Sequence, residues 1–590
     1  MVGVCRPKPH TLRLGYNFRR SDISDYDSQQ NFAGTYALFL SDFANGYLNP
    51  TDGSEFTQAL TNRKTAYLAL YNVGVYAQDE WQVRRRLKLT AGIRFDRTGN
   101  PLCNNNCFSL YNGAFPYTGV TTSTPYNTLV NAYQPHPFSS VQKINPQARF
   151  GFNYDVTGDG HTVVRGGFGM FTNLYPAGFL DGFIDNLPNV YNATIVSGNV
   201  GSAMVPGTAM ANALSSFNGV EAGFANGASS SSLGHTIPSY APPTFTVGPP
   251  EFKNPTYLEF NLQLQHQFSK SDAIILAYAG NTGYDEIIAN GTVNAHSPTG
   301  FGGLPFAQPD PNFAGVDSFT NAAHSNYHGG SVTYKHIDNK GLTVDATYTY
   351  SKAMDDASNS GINNEPYNFN SFFARSNYQI DPFSVGLLNY SVSDYDIRNS
   401  FVLDFVYQMP FHFQKAITNQ VLSGWTVSGK SFYRSGQPFT VYNSAASPAN
   451  TGGTDLSGVL VDFLNPHIPR HCGAGAVTTP CFTTSNFVPY NAQTNFGNAA
   501  RNQFNGPHYA DTDLALMKKL YQREALNVQI GANAFNVFNH PNFALPAANI
   551  AGGGLGTITS IAAPPTSPYG SFQGAGVGGR VVQVFGKVNF

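Results

Sequence analysis

The chain has 590 residues and a formal net charge of −2 at pH 7, and only 12% of its residues are charged whereas 14% are aromatic. Helical soluble proteins need more Lys, Glu, Arg and Gln on their surfaces, and nucleic-acid binding needs a positive field, so this composition excludes both classes. The sequence also lacks the roughly 18 consecutive apolar residues of a transmembrane helix, which leaves a transmembrane β-barrel or a large secreted all-β protein.

The start of the chain does not look like a signal peptide. Residues 1–10, MVGVCRPKPH, contain neither an apolar core nor a cleavage site. The next segment, TLRLGYNF at residues 11–18, already alternates between apolar and polar residues in the manner of a β-strand. We therefore expect that the sequence begins inside a longer protein.

Strict alternation of apolar and polar residues predicts β-strands along the rest of the chain. In the segment LEFNLQLQHQF at residues 258–268, every second residue except His266 is apolar and those between are polar. Segments 87–95, 342–350 and 526–534 repeat the pattern. Each strand is about ten residues long, which suffices to cross a hydrocarbon core at a tilt, whereas sandwich strands average about five or six residues.

The connections between the predicted strands alternate between short and long. Short links join five pairs, namely 71–83 with 87–97, 146–156 with 161–172, 255–268 with 272–282, 327–337 with 342–352, and 508–520 with 525–537. A longer link joins 399–409 to 424–434, and long stretches cover residues 98–145, 173–254, 283–326, 353–398, 435–507 and 538–578. This order predicts an antiparallel up-and-down barrel with short periplasmic turns and long extracellular loops. We count about fifteen strands, and because bacterial barrels use even numbers, we expect the barrel to be incomplete at its N-terminus.

Two features of the long stretches bear on this interpretation. The low-complexity segment 219–250 is predicted to be one long external loop, because equivalent strand pairs flank it. Cys103 and Cys107, like Cys472 and Cys481, are close in sequence and lie in long loops on the same predicted side. Their spacing permits two local disulfides, although free thiols remain an alternative.

The chain ends in an alternating strand, RVVQVFGKVNF at residues 580–590. One face is apolar and is predicted to contact lipid, and it consists of Val582, Val584, Val588 and Phe590. In a soluble protein such a chain end would be an aggregating edge, whereas in a barrel it seals the wall. A terminal Phe also resembles the signal by which the barrel-insertion machinery recognises outer-membrane proteins.

The polar faces of the strands are predicted to line the barrel interior. The expected lumen-lining residues are Glu259, Gln263, Gln265, Asp345, Asp404, Gln529, Gln583 and Lys587. The sequence contains no HExxH, P-loop, GxSxG or CxxC motif. We therefore expect no enzymatic activity, no cofactor and no metal site. The segment DVTGDG at residues 155–160 suggests a calcium loop, but a tight hairpin turn explains its Asp and Gly residues better.

Several segments together resemble the TonB-dependent outer-membrane receptors, and specifically their Oar-like β-barrels. The matching segments, in family order, are YAQDEWQV (76–83), LKLTAGIRFD (87–96), NPQARFGFNYDVTGDGHTVVRGGFGMF (145–171), GLTVDATYTYSKAMDD (341–356), GWTVSG (424–429), RSGQPFTV (434–441), NQFNGPHYADTDLALMK (502–518) and ANAFNVFNHPNF (532–543). Together with the terminal strand they extend over nearly the whole chain.

The resemblance implies a barrel in the bacterial outer membrane that takes up a nutrient too large for porins. Such a receptor is gated by an N-terminal plug and energised by a TonB-type partner in the periplasm. We find no plug and no TonB-contact segment in residues 1–590, which we interpret as one barrel domain, so we expect TonB coupling only if a plug is supplied by a longer protein. The expected partners are membrane lipid, the insertion machinery and an unknown nutrient, but no nucleic acid. A passive porin-like channel and a secreted all-β binding or adhesion protein remain alternatives.

Overall fold

The computed structural model of the chain describes most, but not all, of its residues. The described residues are 2–5, 9–25, 35–37, 55–63, 65–116, 118–174, 180–196, 206–237, 240–291, 293–338, 340–356, 358, 374–375, 390–446, 459–465, 467–523, 526–562 and 579–590.

The fold is dominated by one large antiparallel sheet. Fifteen strands form its main ladder, namely β1 (Val2–Cys5), β2 (His10–Asp25), β3 (Ala66–Arg84), β4 (Leu87–Thr98), β5 (Asn145–Asp155), β6 (Thr162–Thr172), β7 (Thr256–Gln267), β8 (Asp272–Asn290), β9 (Gly315–Ile337), β10 (Leu342–Asp355), β11 (Asn399–Gln408), β12 (Trp425–Arg434), β13 (Tyr509–Arg523), β14 (Leu526–Phe535) and β15 (Val581–Asn589). Each strand pairs in antiparallel register with the next one along the chain. The predicted all-β, up-and-down fold is therefore confirmed, with β1 and β15 at the two ends of the described ladder.

Several strands are longer than the alternation predicted, mostly on the side of the long loops, although β13 extends three residues further toward its short turn, to Arg523. Strand β8 extends to Asn290 rather than to residue 282, and β9 begins at Gly315 rather than at residue 327. The added residues are covered by loop segments, so that Ile288 and Phe319 are buried. Apolar and polar residues do not alternate in these parts of the strands, because protein rather than lipid or water contacts both faces of the sheet.

The connections on the opposite side of the sheet are short. In the turn between β5 and β6, the carboxylate of Asp155 accepts hydrogen bonds from the backbone N–H groups of Gly158 at 2.7 Å and Gly160 at 3.1 Å. Both glycines have positive φ, 86° and 82°, which a residue with a Cβ adopts only with strain. Hydrogen bonds from Thr157 and His161 hold the pKa of Asp159 far below its ordinary value. The segment has the geometry of a hairpin turn.

The longer link between β11 and β12 contains a helix that the alternation did not predict. This helix spans Ala416–Leu422, and its Val421 carbonyl accepts a hydrogen bond from the indole N–H of Trp425 at 2.9 Å. Over so short a segment, AITNQVL, neither the helical period nor the strand period is distinctive. The connection is longer than the other links on this side, as predicted, and the helix accounts for its length.

The outer face of the ladder exposes large apolar side chains. On β7, for example, Leu262 is 51% exposed, and on β15 Val584 is 79% exposed. Cross-strand register places further members on the same face, including Leu12, Leu14, Tyr16, Phe18, Val73, Val75, Ile93, Phe95, Phe150, Phe168, Leu276, Val332, Tyr348, Tyr350, Phe401, Leu516 and Ile530. A soluble protein does not leave an apolar surface of this extent in water.

The buried core lies in the long loops and in the strand ends that these loops cover, such as Phe319 of β9. One cluster centres on Phe56, Tyr126, Tyr191, Phe217 and Phe313, and another on Phe439, Leu460, Phe482, Phe487 and Phe504. Helices in this region span Tyr126–Leu129, Asp181–Ile184, Pro206–Ala225 and Ser230–Thr236. Short strands span Thr35–Ala37, Glu55–Thr61, Leu102–Cys103, Phe108–Tyr111, Val130–Gln134, Ser140–Val141, Val190–Val196, Thr244–Val247, Glu251–Phe252, Ala374–Arg375, Ser391–Val392, Pro438–Phe439, Tyr442–Asn443, Val459–Leu460 and Phe504–Asn505.

The low-complexity segment 219–250 therefore does connect β6 to β7, but it is more ordered than a simple external loop. It contains the end of one helix, the whole of a second helix and a strand that pairs in parallel with the start of β9. Ser229 begins the second helix by accepting a hydrogen bond from the backbone N–H of Ser232, which forms a capping box. Among the described residues, no helix is both long and apolar enough to span a bilayer.

Candidate functional site

The inner face of the ladder, opposite the apolar one, is polar. Its most distinctive feature is a row of charges that crosses five neighbouring strands. Register places Lys335 of β9 opposite Asp345 of β10, Asp345 opposite Asp404 of β11, Asp404 opposite Lys430 of β12, and Lys430 opposite Asp513 of β13. The charges therefore run plus, minus, minus, plus, minus along one row of the wall.

Two ion pairs within this row offset its like charges. Directly opposed carboxylates repel each other across a strand pair, which applies to Asp345 and Asp404. Each has a lysine on its other side, with Lys335 Nζ 3.0 Å from Asp345 and Lys430 Nζ 3.7 Å from Asp404. All four side chains are between 42% and 60% exposed. Solvent therefore screens both ion pairs, and they contribute little to stability. The row is therefore available to polar molecules on this side of the wall.

A cavity of about 460 Å³ lies directly on this row. Asp345, Asp404, Lys430 and Asp513 line it together with uncharged polar side chains, namely Thr343, Ser428 and Asn533. The carboxylates accept hydrogen bonds, the ammonium donates them, and the hydroxyl and amide groups do both. This arrangement suits a hydrophilic solute that carries several hydroxyl or amine groups. It does not contain a nucleophile paired with a base.

The structure places the sequence-predicted lumen residues in three groups. Asp345 and Asp404 are neighbours in the charged row. On the last strand pair, β14 and β15, Gln529 lies opposite Lys587, and Gln583 lies opposite Asn533, which also lines the cavity.

The third group lies apart from the other two. Glu259, Gln263 and Gln265 are on β7, separated from β10 by two intervening strands, so the charged row does not include them. The assignment of all eight residues to a lumen stays a prediction.

Sequence reasoning missed Lys335, Lys430 and Asp513. Each lies on a strand that the alternation identified, at a position of the polar face. Parity along one strand could have selected them, but which residues stand side by side depends on the register between strands, and one sequence does not give that register.

A second charged group lies on the same face at the beginning of the ladder. The carboxylate of Glu80 is 2.7 Å from Arg13 Nη1 and 2.6 Å from Lys88 Nζ. Nearby, Arg94 donates to Asp96 with N···O distances of 2.6 Å. These charged groups pair with one another on β2, β3 and β4, which indicates that they stabilise the pairing of these strands.

The buried guanidinium of Arg501 ties the loop between β12 and β13 to the rim of the sheet. Its side chain is 1% exposed, and it donates to the hydroxyl of Ser358 at 2.6 Å and to the backbone carbonyl of Asp355 at 2.6 Å. It also pairs with the carboxylates of Asp355 and Asp394. This loop is therefore anchored at the long-loop end of β10.

The loops hold two disulfides and a set of buried tyrosines. Cys103 is bonded to Cys107, and Cys472 to Cys481, so both predicted pairs are joined in the structure. Burial raises the pKa of Tyr191 to about 12, and it also raises the pKa of Tyr126. These phenols stay neutral and act as packing and hydrogen-bonding groups.

Comparison with protein families identifies the fold. A family model described as "Outer membrane beta barrel domain" matches residues 8–583, which is nearly the whole chain. No curated protein sequence matches the chain significantly.

Solved structures similar to the chain include three outer-membrane proteins of low sequence identity. The FrpB iron transporter from Neisseria meningitidis is 12% identical with a TM-score of 0.43, and the alignment covers 100% of this chain and 53% of that one. The outer membrane transporter YddB from Escherichia coli is 9% identical with a TM-score of 0.40, covering 98% and 54%. The siderophore receptor PiuA from Acinetobacter baumannii is 9% identical with a TM-score of 0.39, covering 100% and 54%. The chain thus spans about half the length of these proteins.

Proposed function

We propose, from the premise that this chain belongs to the outer membrane beta barrel domain family, that it is the barrel of a receptor that takes up a nutrient too large for porins. Members of this family are barrels of the outer membrane, and the chain is accordingly an outer-membrane protein. The nutrient, the coupling to an energy source and the partners belong to the proposal.

The observation that carries the proposal is the opposite character of the two faces of the wall. Leu262 is 51% exposed on the outer face, while its neighbours Asn261 and Gln263 belong to the polar face. Apolar side chains that no protein covers over so large an area are stable only in contact with lipid. A polar inner face is stable only in contact with water or a polar solute. The same wall can therefore lie in a membrane and conduct a hydrophilic molecule.

The cavity on the charged row is the part of the wall that we propose contacts the solute. Its Asp404, Lys430 and Asp513 offer donors and acceptors side by side, and their partial exposure keeps any single contact weak. Weak contacts suit passage, since a transported molecule must leave the wall as readily as it arrives.

The finer assignment, to an Oar-like TonB-dependent receptor, is supported by the ordered series of motifs between residues 76 and 590. We propose that a plug in a longer protein closes this barrel and couples it to a TonB-type protein. We also propose that the terminal strand β15 contacts the insertion machinery during assembly.

Uptake by cells tests this proposal. Outer-membrane vesicles and intact cells carrying the chain within its full-length protein are supplied with labelled oligosaccharides and peptides above the size limit of porins. Uptake that stops when the TonB-type protein is deleted supports the receptor. Uptake that is independent of that protein and limited to small solutes would instead indicate the passive channel, and full solubility without detergent would indicate a secreted protein.

A further inference from the structure

The outer face of strands β8 to β11 changes character along its height. One cross-strand row is apolar or aromatic and consists of Leu276, Val332, Tyr348 and Phe401, and the next row combines two aromatic side chains with Gly330 and Asn399, the aromatic ones being Tyr278 and Tyr350. The following row toward the long loops contains His328 opposite Lys352. The apolar surface therefore ends at a cationic row on this side.

The height of this cationic row matches the boundary of a hydrocarbon core. On β9, His336 lies opposite Asp272 and marks a polar row at the short-turn side, eight residues from His328. Eight residues rise about 27 Å along a strand, which at a tilt of about 40° is about 20 Å across the membrane. The apolar band of such barrels is about 25 Å tall, so the two polar rows lie within about 3 Å of its two edges.

Three basic side chains meet at the upper edge. Lys352 is exposed and stands opposite His328, whose ring nitrogen Nδ1 is 2.6 Å from the hydroxyl of Tyr278. The guanidinium of Arg398 lies 5.9 Å from the ring centre of Tyr350, which points to the same face.

One carboxylate faces these cations. Asp396 is buried, accepts a hydrogen bond from the backbone N–H of Ala353 at 2.7 Å, and lies 3.1 Å from an Nη of Arg398. Arg398 is therefore held at the edge of the band by Asp396 and Tyr350. Among the described side chains at this edge, two permanent cations against one carboxylate leave a positive surface beside the aromatic rings.

We propose that Lys352, Arg398 and His328 bind the phosphate groups of a phosphorylated lipid headgroup in the leaflet on the long-loop side. Guanidinium and ammonium groups are the usual partners of phosphate oxygens, and basic side chains beside a membrane-spanning wall attract anionic headgroups. A lipid fits better than free phosphate because the patch continues into the apolar rows, so that acyl chains cover Tyr350 and Tyr348 while the headgroup meets the cations.

Lipid retention on the purified protein tests this inference. The protein is reconstituted in nanodiscs with a lipid A bearing two phosphates or with the same lipid after dephosphorylation, and bound lipid is counted by native mass spectrometry. We expect the wild type to retain the phosphorylated lipid roughly 10- to 30-fold more than its dephosphorylated form, because each cation near the surface favours an anionic lipid. The double variant Lys352→Gln/Arg398→Gln should lose this preference.

Two controls keep the outcome clear. Arg165→Gln removes a cation from the inner face of β6, where Arg165 lies opposite Gln263, and should leave lipid retention unchanged. Arg398→Lys keeps the charge and should preserve most of the preference, and heat-dependent gel mobility verifies that every variant is folded. Equal retention of both lipids by the wild type, or full retention by the double variant, would overturn the inference. So would retention of inorganic phosphate alone at the level of the phosphorylated lipid, counted in the same mass spectra. No transported solute enters the measurement, so it can succeed or fail independently of the proposed uptake.

Discussion

An arginine placed at Val584 should destabilise the barrel strongly, because we propose that this residue lies near the middle of the band that contacts lipid. Val584 is 79% exposed on the outer face of β15, opposite Ala532. It lies five residues from Asn589, the end of the strand. Five residues rise about 17 Å along the strand and, at a tilt of about 40°, about 13 Å across the membrane, which is half of a band about 25 Å tall. An arginine at that depth costs about 2–4 kcal/mol.

Two neighbouring substitutions on the same strand provide matched controls. Gln583→Arg introduces the same side chain on the opposite face, where Gln583 lies opposite Asn533, and should change stability by less than about 0.5 kcal/mol. Val588→Arg stays on the outer face but lies at the edge of the band, and should cost about 0–1 kcal/mol. The first control tests which face of the strand a residue lies on, and the second tests how deep it lies in the membrane. Both lie on the same nine-residue strand.

The assay is reversible unfolding of the lipid-reconstituted protein in guanidinium chloride, followed by tryptophan fluorescence and gel mobility. The expected order of destabilisation is Val584→Arg, then Val588→Arg, then Gln583→Arg. Equal losses at Val584 and Gln583 would refute the assignment of faces, and equal losses at Val584 and Val588 would refute the assignment of depth.

Three further predictions concern the loops and turns. Replacing Arg501 with Met leaves buried carboxylates without their cation and should cost about 3–5 kcal/mol locally, seen as faster hydrogen exchange of the surrounding loop, and unchanged exchange would contradict the anchor. Replacing both Cys472 and Cys481 with Ser should destabilise their loop by about 2–3 kcal/mol in the chain-entropy account, measured as faster limited proteolysis of that loop at unchanged gel mobility. Because the folded pKa of Asp159 is depressed, its stabilisation of the turn is present above its ordinary pKa and is lost as the pH falls through the depressed value, and Thr157→Val should raise that pKa in a carbon-13 NMR titration.

The strands could be predicted from the sequence because membrane insertion imposes a simple rule on every residue. In the proposed orientation in the membrane, an outer position such as Leu264 contacts lipid and an inner position such as Gln265 contacts water, so the alternation is visible locally. The alternation does not extend to the ends of the strands that are covered by the long loops. Phe319 of β9 contacts loop residues, and no local pattern marks it as part of a strand.

The loop structure and the charged row were not predictable for a different reason. Tyr126 is buried by contacts with Tyr240 and Asn312, which are more than a hundred residues away in sequence. Likewise, Asp345 and Lys430 share one cavity only because the register of the intervening strand aligns them. Long-range pairings of this kind are set by the fold as a whole and leave no periodic signal in the chain.

The central claim, that one face of this sheet contacts lipid and the other water, is tested most directly by spin labels on β7. Nitroxides are placed one at a time at Leu262, Gln263, Leu264 and Gln265 in the reconstituted protein, and their collisions with oxygen, which concentrates in lipid, and with a water-soluble nickel chelate are measured. We predict that oxygen accessibility is high at the two leucine positions, that nickel accessibility is high at the two glutamine positions, and that the two quantities alternate with a period of two. Low accessibility to both reagents at Leu262 and Leu264 would show that these positions are buried in a dry protein core, which would contradict the account.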